Sequence, residues 1–390
     1  MTVINTEDRL AILGDLVAIK SVNNNETEVA QYLADLLEKH GISSKLVPIS
    51  ENRANLVAEI GSGEPVLAVT GHMDVVDPGN LDAWDTDPFK MVEKDGNLYG
   101  RGTDDMKAGL SALVISMIEL HAEGKPTTGT IRLLATVGEE VGESGSHAFY
   151  QQGYMKDASA LLVAEPSGYN IAHAQKGSMD LKLVSKGITV HSSLPELGYN
   201  AINSLISILN EANISFSDPK NPTSPLFGPM AFNVDVLQGG TQVNSIPDFA
   251  EAEINVRTVP EYNNDMVLAE LNKIIAAYNT AHATDAVPEP VTLEILMNEP
   301  PVQAPNDTNI IKQSQKIAKP YAKADIPVMT VAGITDASNL VRDKDTDFPF
   351  LVFGPGDATQ AHVINEHVGK DMYLNFIEIY IELFSTLLTD

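Results

Sequence analysis

Five short stretches of this sequence set histidine and carboxylate side chains close to glycine or proline: Gly71-His72-Met73-Asp74, Gly102-Thr103-Asp104-Asp105, Gly138-Glu139-Glu140, Glu165-Pro166 and the late loop that carries His362. From these, His72, Asp105, Glu140, Glu165 and His362 are candidate metal ligands. The sequence has no cysteine, so any ion must be held by nitrogen and oxygen. A shell that mixes imidazole with carboxylate suits zinc, manganese or cobalt better than the all-oxygen surroundings calcium prefers. Two cations fit the supply of donors, since one bridging carboxylate and about two further ligands for each ion leave room for a shared water. Asp105 can bridge, His72 with Glu165 can complete one ion, and Glu140 with His362 the other. Glu139 is then the spare carboxylate beside that water, where a general base must stand.

Each motif alone has a plainer reading. His72 and Asp74 lie two apart on extended chain and point to the same side. The Asp74 carboxylate can therefore accept a hydrogen bond from the far nitrogen of His72 and fix its tautomer, but a His-x-Asp at a strand end is also ordinary loop polarity. Asp104 and Asp105 precede an apolar run at 106–120 that reads as a helix with a buried face, so one of them could simply cap it. His40 reads as a helix-end residue, and His367 as structural. What favours chemistry is recurrence: the β-rich runs 65–70, 130–137 and 158–164 lead directly into His72/Asp74, Glu139/Glu140 and Glu165. The carboxyl ends of strands are where an open α/β sheet forms its binding crevice.

The elements that must hold these residues are legible in outline. Residues 6–40 read as two amphipathic helices broken at 21–25, and 55–60 as a further strand. The expected fold class is α/β, a mainly parallel sheet with flanking helices. From Gly177 the texture changes to polar/apolar alternation, as in a sheet with one solvated face. Strands at 178–185, 231–237, 250–256 and 291–297 with helices at 200–212 and 264–281 give the order β-α-β-β-α-β. Residues 177–296 are therefore expected to form an inserted α+β domain, and 1–176 with 297–390 the catalytic domain, joined by a proline-rich return at 298–305. A helix at 308–318, a strand at 350–353 and a closing helix to Leu388 complete the chain.

Composition narrows the classes of function. The 390 residues are 43% hydrophobic and 20% charged, enough for about two domains with ample cores. A net charge of -28, from 25 basic and 53 acidic residues, would repel a nucleic-acid backbone or an anionic membrane, and no run of Lys or Arg offsets it. The first residues lack signal-peptide features, and no apolar run approaches the ~20 residues that span a bilayer, so the expected location is the cytoplasm.

Taken in order, His72-Met73-Asp74, GRGTDDMKAG from Gly100, Gly138-Glu139-Glu140, Ala164-Glu165-Pro166 and the late FGPGDATQAH resemble the dinuclear zinc amidohydrolase family. That family includes acetylornithine deacetylase, succinyl-diaminopimelate desuccinylase, aminoacylase and carboxypeptidase G. The resemblance implies the same five ligands, Asp74 as the residue that orients His72, Glu139 as the base, and a cis peptide between Asp105 and Met106. It also implies that the inserted domain is a lid and dimerisation domain. His191, in GITVHSSLPELGYNAI, would reach a partner's active site and stabilise the oxyanion. Asn244, Arg257 and Gly333 would contact substrate, Arg257 by pairing with a carboxylate. At Ser338 the chain departs from the pattern, because several family members carry an arginine there.

The expected activity is hydrolysis of the amide of an N-acyl amino acid, closest in look to succinyl-diaminopimelate desuccinylase. It would use two divalent ions, zinc or else cobalt or manganese. Acetylornithine deacetylation and di- or tripeptide cleavage are alternatives, and a non-catalytic metal-binding protein is a remote one. The expected partners are a small N-acyl amino acid or short peptide and a second copy of the chain.

Overall fold

The structure is a computed structural model that describes residues 2–388. The chain divides into two compact units, one of Met1–Ala174, Gln303–Val331 and Thr335–Asp390, the other of Gln175–Val302 and Ala332–Ile334.

The first unit is built on a nine-stranded mixed sheet. At its centre four strands run parallel, in the spatial order Gly129–Thr136, Val66–His72, Ala158–Pro166 and Phe350–Gly354. Val66–His72 is buried throughout, as expected of a strand covered on both faces. The parallel register sets His72 beside Thr136 and Thr70 beside Val163. The carboxyl ends of three strands are thereby level, which brings together side chains that lie far apart in sequence.

Antiparallel strands extend both sides of this block. Arg53–Ser62 pairs with Gly129–Thr136, and Ser44–Ser50 closes that edge. Ser44–Ser50 has no counterpart in the sequence reading, because Pro48 interrupts its pattern; proline is tolerated here since the strand lies at the edge.

The helices Thr6–Ala18 and Thr27–Lys39 occupy the expected places, with His40 at the end of the second. Helix Lys107–Ala122 differs from expectation. It is buried on all sides from Lys107 to Leu120, not on one face, in keeping with a sequence that is apolar all round. It packs so closely on Ala158–Pro166 that a side chain at Gly109 would strike the Ala164 carbonyl. The closing helix Lys370–Leu387 lays Tyr373, Phe376, Tyr380 and Phe384 into the same core, where each buried aliphatic or aromatic side chain contributes about 1.5–3 kcal/mol.

A separate three-stranded sheet joins Val92–Lys94, Asn97–Tyr99 and His367–Gly369. Its hairpin turns through Asp95 and Gly96, both at positive φ, the backbone that an Asp-Gly turn favours. His367 pairs with Tyr99 and its ring lies 4.7 Å from the tyrosine ring, a structural role. This small sheet fixes the His362 loop beside the turn that begins at Gly100.

The second unit has a four-stranded antiparallel sheet, ordered Ala231–Gly239, Phe249–Thr258, Gly177–Lys186, Val291–Glu299, with helices Ala201–Phe216 and Asn264–His282. The chain order is β-α-β-β-α-β. It has its own core, in which Leu181, Leu183, Ile208, Ile254 and Leu271 take part.

Candidate metal centre

The His72 side chain is fully buried and its two nitrogens have different partners. Nδ1 lies 3.0 Å from the main-chain oxygen of Asp74, and since a carbonyl only accepts, Nδ1 carries the hydrogen. Nε2 is thereby directed at carboxylates, 3.0 Å from Asp105 Oδ1 and 3.5 Å from Glu165 Oε1. The orienting partner is thus the Asp74 main chain, with the Asp74 carboxylate further off at 3.7 Å.

The Asp74 carboxylate has another task. It accepts the main-chain N–H groups of Gly138 at 2.8 Å, Glu139 at 3.3 Å and Glu140 at 3.2 Å. Strand alternation directs residue 74 toward the site but does not reveal which groups converge on it. Gly138 adopts φ +70°, and a side chain there would collide with the Arg53 guanidinium, which pairs with buried Glu26 at 2.9 Å. The turn presenting Glu139 and Glu140 is therefore held from beneath by its backbone, and neither side chain is used to anchor it.

Asp105 lies between the two histidines. Oδ1 faces His72 and Oδ2 faces His362 Nε2 at 3.4 Å, while Glu140 Oε2 is 2.8 Å from the same His362 nitrogen. Donor atoms of His72, Asp105 and Glu140 lie within 4.8 Å of one another, as do those of His72, Glu139 and Glu165. The peptide between Asp105 and Met106 is cis. Asp104, in contrast, is no helix cap: its Oδ1 accepts the N–H of Asp357 at 2.9 Å, and the helix start at Met106 has no side-chain cap.

Electrostatics describe a site short of positive charge. Burial pushes the carboxyls of Glu139 and Glu165 well above the usual range; the negative charge of Glu165 adds to the effect at Glu139 and that of Asp105 adds at Glu165. Burial also raises Glu140, against the pull of His362. Burial opposes charge on His72, but Glu165, Asp105 and Asp74 outweigh it and raise its pKa well above the ordinary value. His362 is pushed up to about 10 by Asp105 and Glu140. Without other cations, protons must therefore serve as counter-charge to the carboxylates. Glu140 Oε1 is buried and has no hydrogen-bond partner among the described residues. An unpartnered carboxylate oxygen, two imidazoles and several crowded carboxylates are the donor set a pair of divalent cations requires.

Residues 68–386 match the family described as Peptidase family M20/M25/M40. The chain belongs to this family. It is a hydrolase by that membership. It is 40% identical over 411 aligned positions to a protein named "Probable succinyl-diaminopimelate desuccinylase" from Staphylococcus epidermidis, with all of both chains covered. In fold it is similar to an M20 family metallo-carboxypeptidase from Sulfolobus solfataricus, with a TM-score of 0.77, 19% identity and coverage of 97% of this chain and 98% of that one. A tripeptidase from Staphylococcus aureus is similar at a TM-score of 0.73 and 22% identity, with 99% of each chain covered.

The other expected site residues lie in the second unit. His191 is exposed, with Nδ1 2.7 Å from Ser193 Oγ. Asn244 is also exposed, and its main-chain oxygen accepts the N–H of Ser192. Arg257 is half-buried in strand Phe249–Thr258, and Gly333 is exposed in the short segment Ala332–Ile334. Ser338 is fully buried in the first unit.

Two buried carboxyl groups near the centre had no part in the sequence reading. Asp336 accepts the Thr136 hydroxyl at 2.5 Å, and burial pushes it up to about 6. Glu366 follows His362 by four residues and accepts N–H groups from the turn that carries Asp105. No pattern in the run HVINEHV marked this glutamate for burial, since Val363 and Ile364 beside it are exposed.

Proposed function

We propose that the chain is a two-metal hydrolase that cleaves the amide of an N-acyl amino acid, with N-succinyl-diaminopimelate as substrate. The observation that carries the two-metal reading is Asp105, with one oxygen toward each of two histidines that are themselves flanked by Glu165 and Glu140. His72, Asp105 and Glu165 would hold one ion, and His362, Asp105 and Glu140 the other. Two divalent cations, zinc first and cobalt or manganese as substitutes, would supply Lewis acidity toward the scissile carbonyl and a water.

The protein's own contribution is proton handling and placement. Glu139 is the one carboxylate of its turn left over from this ligand set. Its raised pKa suits it to take a proton from the attacking water and deliver it to the leaving amine. Asp74 holds Glu139 and Glu140 in register through their N–H groups and fixes the His72 ring through its carbonyl. The second unit is read as the lid and dimerisation domain. From it His191 would offer a hydrogen bond to the developing oxyanion, Arg257 would pair with a substrate carboxylate, and Asn244 and Gly333 would line the substrate.

The choice of acyl group is supported by the full-length likeness to the Staphylococcus epidermidis protein. A second reading is di- or tripeptide hydrolysis, since the same site could attack a peptide bond; Ser338, which stands where several family members carry an arginine for the substrate's carboxylate, weakens the naming of the acyl group. The test is release of succinate from N-succinyl-diaminopimelate with added zinc, cobalt or manganese, beside N-acetylornithine and a di- and tripeptide panel. Preferred turnover of the succinyl substrate is the expected result. Cleavage confined to peptides would replace this substrate assignment with the second reading.

A further inference from the structure

Glu366 is fully buried, and four N–H groups converge on its side chain. Oε1 accepts the main-chain N–H of Gly102 at 2.9 Å, of Asp104 at 2.8 Å and of Asp105 at 3.1 Å. Oε2 accepts Nη1 of Arg101 at 2.6 Å, and the Glu366 main-chain oxygen accepts the Gly100 N–H at 3.0 Å. One residue thus gathers five consecutive-to-near neighbours of a single turn, the turn that ends in Asp105.

The same glutamate is covalently tied to the other side of the site. It follows His362 by four residues, and both His362, at φ +65°, and Asn365, at φ +61°, adopt left-handed backbone that side chains seldom take. Such a conformation persists where its surroundings hold it. The Asn365 side chain accepts the Asp85 N–H at 2.9 Å, and Arg101, buried and 5.3 Å from the Trp84 ring centroid, completes the enclosure. We infer that Glu366 is a positioning residue that sets Asp105 against His362, by fastening the turn of one to the loop of the other.

The inference rests on the reading of Asp105 and His362 as metal ligands, and it adds a residue that touches neither ion nor substrate. Replacing the carboxylate by an amide would set an NH2 either against the Arg101 guanidinium or against the N–H groups of Gly102, Asp104 and Asp105, so that buried donors face a donor. The turn would then relax away from them and carry Asp105 off the geometry that places one oxygen toward each histidine. Substitution of the groups that orient ligands typically weakens metal binding about 10- to 100-fold.

The experiment is titration of the metal-free protein with cobalt(II), read by visible absorption and by competition with a chromophoric chelator. Glu366→Gln is expected to weaken cobalt binding about 10- to 100-fold and to alter the absorption bands of the ion held by His362. Glu119→Gln is the control for generic loosening, because Glu119 is also buried and accepts the N–H groups of Val3 and Ile4 at 2.8 and 2.9 Å. It should lower the unfolding midpoint without altering cobalt affinity or spectrum. Should Glu366→Gln not fold, Arg101→Lys decides, with an expected loss near the lower end of that range, about tenfold, and the same spectral change. Cobalt binding unchanged in the glutamate variant, or lost equally in Glu119→Gln, would overturn the inference. His362→Ala separates this outcome from failure of the ligand assignment: if it leaves cobalt binding intact, the assignment itself is wrong. If it weakens binding while Glu366→Gln does not, only the positioning role falls.

Discussion

Replacing Asp74 should damage the fold and the centre through the Gly138–Glu140 backbone, with the His72 ring less affected. In Asp74→Ala the three N–H groups lose their acceptor inside the protein. A hydrogen bond to a charged group contributes about 1.5–3 kcal/mol. The 2.8 Å bond to Gly138 belongs in that range, at about 2 kcal/mol, and the longer ones from Glu139 and Glu140 fall below it, nearer an ordinary hydrogen bond at about 1 kcal/mol each. The sum, about 4 kcal/mol, is a large part of the roughly 5–15 kcal/mol that holds a typical domain together. Asp74→Asn is more selective. It can keep Oδ1, which serves Gly138 and Glu139, but sets an NH2 where Oδ2 meets the Glu140 N–H. The expected loss is about 1–2 kcal/mol, centred on Glu140. Urea unfolding of the metal-free proteins measures both values, and chelator competition should find one ion weakened in the Asn variant while the ion held by His72 stays. If Asp74→Ala unfolds at the parent's urea concentration, or if Asp74→Asn loses the His72 ion as His72→Ala does, the anchoring role is refuted.

Asp104→Asn tests the electrostatics of the neighbouring turn. Burial first, with the charges of Glu366 and Asp105 adding to it, pushes Asp104 from 3.8 up to about 9. The folded, metal-free protein therefore keeps a proton that the unfolded chain releases, and stability should fall as pH rises between those values, by up to about 1.4 kcal/mol per pH unit. The amide variant should be more stable than the parent at pH 8 and have a flatter profile; parallel profiles would contradict the protonated state. Asp105→Ala should lose at least one ion by elemental analysis, and two ions at full occupancy would remove Asp105 from the bridge. For the proposed dimer, mixing inactive His191→Ala with inactive Glu139→Ala should restore part of the activity once tagged chains have demonstrated subunit exchange. Exchange without recovery would confine His191 to its own chain or to no catalytic role.

Much of the centre was legible because its residues stand at strand ends. An apolar run such as 65–70 announces a buried strand, and a histidine or glutamate just beyond it cannot be explained by the run itself. His72, Asp105, Glu140, Glu165 and His362 do converge, as their motifs suggested. What escaped was the layer that acts through main-chain atoms. The three N–H groups on Asp74 and the three on Glu366 leave no trace in side-chain patterns, since any residue but proline supplies an N–H. Alternation therefore pointed the Asp74 carboxylate at His72, 3.7 Å away, without revealing the three N–H groups it accepts, and Glu366 was passed over. The small sheet that brings His367 beside Tyr99 was missed because its strands are only three residues long. Its Asp95-Gly96 turn was a usable sign.

The most direct test is to count metals and measure turnover in Glu139→Gln beside the parent. The variant is expected to keep the parent's two ions per chain, since Glu139 acts on water and holds no ion. It should release succinate from N-succinyl-diaminopimelate at least about a hundredfold more slowly. A variant that loses an ion, or one that keeps the parent's rate, would contradict the assignment of Glu139 as the base of a two-metal hydrolase.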